Sequence, residues 1–115
     1  MRITLFTVSF KCIYDDDSEF DTTKAFNILR GITYDILYYK FLEDPEEYLH
    51  CALVTDDDRD KKDRMEFFVE LDESFYDKHI GKLIKEARSK LVGEIIREFM
   101  KKLKEVDWDK YLIRG

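Results

Sequence analysis

Few side chains in this 115-residue sequence carry obvious chemistry, and their spacing limits what they can do. The only imidazoles are His50 and His79. Neither stands at metal-ligand spacing from Cys12 or Cys51, and the pair His50-Cys51 falls short of the three or four converging ligands a zinc site needs. Two cysteines permit one disulfide. Both lie in apolar segments, where cysteine serves as a small buried hydrophobe, and an intracellular disulfide is expected chiefly in hyperthermophiles.

Two aspartate triplets, Asp15 to Asp17 and Asp56 to Asp58, offer oxygen ligands to a hard cation. Adjacent carboxylates on one loop diverge, and the glycine-bearing calcium-loop pattern is absent, so both read as solvated loops. Glu66 and Glu70 share one side of an alternating segment, as a metal-dependent nuclease would arrange them. The alternation sets both opposite the presumed core, where charge also protects a strand. Gly31, Gly81, Gly93 and Gly115 are too scattered for a phosphate-cradling loop. Ser9, Ser18, Ser74 and Ser89 sit in no nucleophile elbow. No catalytic set, metal site or cofactor is expected.

Basic residues are better organised. Lys78, Lys82 and Lys85 recur at helical spacing with His79 and Arg88 nearby, and Arg97, Lys101 and Lys104 repeat the spacing. Such a face could track phosphates, the basis of an alternative reading as a nucleic-acid-binding or metal-dependent nucleic-acid-processing protein. Acidic residues interrupt the face, and the chain carries net charge −6. A solvated helix face is the simpler expectation.

The elements that must position these groups follow from periodicity. Phe6, Val8, Phe10, Cys12 and Tyr14 alternate with Thr7, Ser9 and Lys11, the pattern of a half-buried strand over residues 2–14. Asp21 is a good N-cap for a helix carrying Ala25, Ile28, Leu29, Ile32, Ile36 and Tyr39 to about Leu42. The rival is a short helix capped at Gly31 and a strand through Ile32, Tyr34, Ile36 and Tyr38. Asp44-Pro45 breaks the chain. Tyr48 to Thr55, then Met65 to Leu71, predict an antiparallel hairpin across a charged loop. From Ser74 to about Val106 the period is helical, through Ile80, Leu83, Ile84, Ala87, Leu91, Ile95, Phe99, Leu103 and Val106. The expected fold is α+β, one domain over 1–115. It has a small, mainly antiparallel sheet of about three strands in the order β-α-β-β-α. Two helices lie on one face, the C-terminal one long and either unbroken or broken near Gly93.

A helix from Tyr76 to Val106 would run ~46 Å, beyond the roughly 35 Å diameter of a compact domain of this size. Its stripe would then need cover from a second copy. Leu91, Ile95, Phe99, Met100, Leu103 and Trp108 are the expected self-association residues of a homodimer. Charge is also polarised. Residues 1–76 hold 9 Lys or Arg against 19 Asp or Glu, and residues 77–115 hold 11 against 7. Opposed blocks of this kind steer partners together.

Composition bounds the setting. With no Gln, a single Asn (Asn27) and 40% charged residues, the chain has the amide depletion and ion-pair richness of heat-adapted proteins. A thermophilic archaeon or one of its viruses is the expected source, though an AT-rich coding sequence gives a similar bias. Arg2 followed by Ile3 to Phe10 superficially resembles a signal peptide, but Lys11 interrupts it. No apolar run approaches the ~18 residues of a membrane span. The expectation is a cytoplasmic, non-enzymatic interaction or accessory protein with an unknown protein partner.

Overall fold

The computed structural model describes residues 1–11, 18–20, 22–55, 64–107 and 112–114, with side chains described over 1–9, 23–54 and 66–107. Cys12, Tyr14, both aspartate triplets, the Asp21 cap and Trp108 lie outside these residues.

Strand β1, Arg2–Lys11, is the alternating segment expected at the start of the chain. One irregularity interrupts it. Thr4 lies opposite Glu70 and Phe6 opposite Val69, so Leu5 is an extra residue in a β-bulge. The bulge lets adjacent Leu5 and Phe6 both be buried, which strict alternation forbids. Strands β3, Leu49–Thr55, and β4, Arg64–Asp72, form the expected antiparallel hairpin. β1 adds to the far side of β4, giving the order β1-β4-β3. β4 is therefore central, and Phe67, Val69 and Leu71 are fully buried on its inner side. Short β2, Ser18–Phe20, pairs antiparallel with β5, Leu112–Arg114, in a separate two-stranded sheet. Neither of these strands follows from the sequence, because three-residue strands carry too little pattern to announce themselves.

Helix α1, Thr22–Phe41, runs unbroken through Gly31, so the helical period prevails over the strand reading. Ala25, Leu29, Thr33, Ile36 and Leu37 form its buried side. Thr33 keeps its buried hydroxyl satisfied by donating to the Leu29 carbonyl at 2.9 Å. The helix stops at Leu42, whose φ of 55° is left-handed. Its N–H donates to the Tyr38 carbonyl at 2.8 Å, a C-terminal cap usually made by glycine. Asp44 then caps the 3-10 turn Pro45–Glu47 by accepting from the Glu46 N–H.

The expected C-terminal helix is broken, but not near Gly93. A four-residue helix α2, Glu73–Tyr76, passes into a π turn, Asp77–Gly81. After Lys82, Leu83 and Ile84, helix α3 runs Lys85–Glu105 through Gly93 without interruption. Ile84, with extended backbone at the cap position, is 70% exposed while Ile80 is fully buried. A single α-helix would have set both on one side. The π turn and the break re-phase the chain, so the period observed in sequence joins two separate segments. α3 spans ~31 Å, and the overhang anticipated for a longer helix does not arise.

Both long helices cover one side of the sheet. Phe99 packs its ring against Phe6 at 5.3 Å and Phe67 at 5.8 Å, while Phe26 of α1 meets Phe67 at 6.5 Å. Lys40 and Glu94, 3.1 Å apart, tie α1 to α3 at the surface. Each fully buried core side chain contributes about 1.5–3 kcal/mol. No helix among the described residues is long and apolar enough to cross a membrane.

Candidate interaction surface

Of the six residues expected to hold a dimer together, the five that are described face the chain's own core, and Trp108 lies outside the described residues. Ile95 and Phe99 are fully buried, Leu103 is 8% exposed, and Leu91 and Met100 pack half-buried against the same cluster. The sheet and α1 supply the cover that the sequence argument assigned to a second copy.

The basic residues do not form one stripe. Lys78, Lys82, Lys85, Arg97, Lys101 and Lys104 are all exposed, but Lys78 precedes the break and Lys82 lies in it. On α3, at roughly 100° per residue, Lys85 points about 120° away from Arg97. Arg97 and Lys101 line a surface groove of about 450 Å³ with Lys40, Lys102, Glu94, Glu98 and Glu105. Carboxylates alternate with cations there, which removes the uniform potential that phosphate tracking needs.

The histidines belong to surface clasps. His50 Nε2 lies 2.7 Å from Asp72 Oδ1, both groups part exposed. His79 sits against Phe75 at 4.4 Å and Phe41 at 5.4 Å, its Nε2 3.2 Å from Glu43 Oε1. That approach lacks the alignment of a hydrogen bond, since Nε2 is buried without a partner of proper geometry. Lys78 Nζ reaches the same Glu43 oxygen at 3.8 Å. Tyr48 stacks on Phe75 at 3.5 Å, and burial raises the pKa of its unpartnered hydroxyl. Tyr34 donates to Asp44 at 2.6 Å, and this bond pushes the phenol up to about 12. The same bond, with the Glu46 N–H, holds the Asp44 carboxyl below its usual range. Among the described residues no three His, Cys, Asp or Glu side chains are grouped to hold a metal ion. Cys51 is a free, half-buried thiol on the inner side of β3, pushed up to about 12 by burial, and so unreactive at neutral pH.

What remains is the side of the sheet away from α1 and α3. Register places three rows across it: Thr4, Glu70 and His50; Thr7, Phe68 and Ala52; Ser9, Glu66 and Val54. Glu66 and Glu70 thus stand opposite the core, as their alternation required, and Ser9 donates to Glu66 at 3.4 Å. The middle row carries no charge. Thr7 and Ala52 are exposed, Phe68 is half-exposed and Val54 is 51% exposed.

The two edges of this sheet differ. β1 carries the Leu5 bulge, which interrupts the register an added strand must follow. β3 has seven residues, LHCALVT, with no bulge in its pairing, no Lys, Asp or Glu, and no proline. Among the described residues it pairs with β4 alone, leaving one row of its backbone N–H and C=O groups without a strand partner. Cys51 and Leu53 are half-exposed on its inner side, and Ala52 and Val54 exposed on its outer side. The sequence showed this segment as a strand; that it is an edge depended on β1 joining β4, a long-range pairing that no local pattern encodes.

Compared with protein-family models, with curated proteins and with solved structures, the chain has no match to any of them.

Proposed function

We propose that this chain is a non-enzymatic interaction protein that engages a partner protein along β3 and the adjoining outer side of its sheet. The observation that supports the reading is the unguarded edge. In a chain with 40% charged residues, a seven-residue edge strand free of Lys, Asp and Glu leaves apolar groups exposed on both of its sides. Natural edges are ordinarily blunted by charge, proline or a bulge, as β1 is. The charged side chains elsewhere engage one another in pairs such as Arg30–Glu46 and Lys40–Glu94, which suits a supporting scaffold.

With α3 packed on its own sheet, its apolar stripe does not argue for the homodimer, which stands as a separate proposal. Self-association is tested separately, by solution mass over a concentration series. For the proposed role, the test is partner capture by the native chain and by Ala52→Glu and Val54→Lys variants. Both side chains are exposed, so the variants should fold. Retention by the native chain and loss in both variants supports the reading. Equal retention by all three, or a specific turnover lost with His50→Ala, contradicts it.

A further inference from the structure

We draw no further inference here: the strongest candidate, the aromatic cluster between α2, the π turn and the C-terminal end of α1, where the Tyr48 hydroxyl and His79 Nε2 are buried without hydrogen-bond partners, carries nothing because its carboxylate, Glu43, already lies within reach of Lys78 and His79 and nothing among the described residues points to a ligand it would take.

Discussion

Replacing Phe99 by alanine separates a core residue from an interface residue, the two roles that sequence and structure assign to it. Phe99 is fully buried and meets Phe67 at 5.8 Å and Phe6 at 5.3 Å. A phenylalanine buries about 150–250 Å², which at about 25 cal/mol per Å² corresponds to roughly 4–6 kcal/mol. Alanine retains part of that burial, and the observed range for such truncations is about 3–5 kcal/mol. The expected loss is about 4 kcal/mol, a large share of the ~5–15 kcal/mol typical of a whole domain. It should lower the melting temperature by about 16 °C, at roughly 4 °C per kcal/mol for a chain of this size. Urea unfolding with parallel light scattering reads both quantities. Ile84→Ser serves as the counterpart. Ile84 is 70% exposed beside the break, and its loss should cost within about 0.5 kcal/mol. On one unbroken helix it would lie on the buried stripe and cost several times more. A Phe99→Ala chain that keeps its stability but halves its mass would refute the packing described for α3.

Four further outcomes follow from local features. Leu42→Gly removes a left-handed leucine that is 78% exposed and should stabilise the chain by about 0.5–1 kcal/mol; Gly31→Ala, where an added Cβ meets nothing within 4 Å, should add about 1 kcal/mol by helix propensity, both read by urea denaturation. The Tyr34–Asp44 bond should show at both ends of a pH–stability profile. Asp44, depressed in the folded state, contributes above its unfolded value of 3.8, and that contribution is lost as pH falls through the lower folded value. Tyr34, raised to about 12, contributes fully below its unfolded value of 10.0, and that is lost as pH climbs from there to about 12. Tyr34→Phe should flatten both limbs, and an unchanged acid limb would count against the bond. In a Cys12→Ser background, the Cys51 thiol should resist alkylation at pH 8 until denaturant is added, since burial holds its pKa near 12; rapid labelling of the native chain would show the inner side of β3 to be open.

Legibility from sequence tracked the range of the interaction. The alternation in β1 and β4, the helical period of α1 and the placement of Glu66 and Glu70 opposite the core are local patterns, and each reappears in the structure. The β1–β4 pairing joins the first residues to those near 70, and nothing local specifies it. The edge status of β3 was therefore hidden, although its lack of Lys, Asp, Glu and proline could have marked it as a strand without protection. The Leu5 bulge was masked because one extra residue does not disturb the alternation of Phe6 and Val8. The break at Lys82 to Ile84 was masked differently. Ile80, Leu83, Ile84 and Ala87 fit a single helix by spacing, yet the π turn changes the phase between them. Gly93, the suspected weak point, sits inside a helix whose packing on the sheet outweighs the cost of one glycine.

The free edge of β3 is tested most directly by amide-resolved hydrogen exchange on the chain alone. β3 is seven residues long and pairs with β4 on one side among the described residues. The amides bonded to β4 should exchange slowly, and the alternate amides, directed away from it, should exchange orders of magnitude faster. Equal protection of both sets at low concentration would mean that the edge is already covered, contradicting its role as a docking strand.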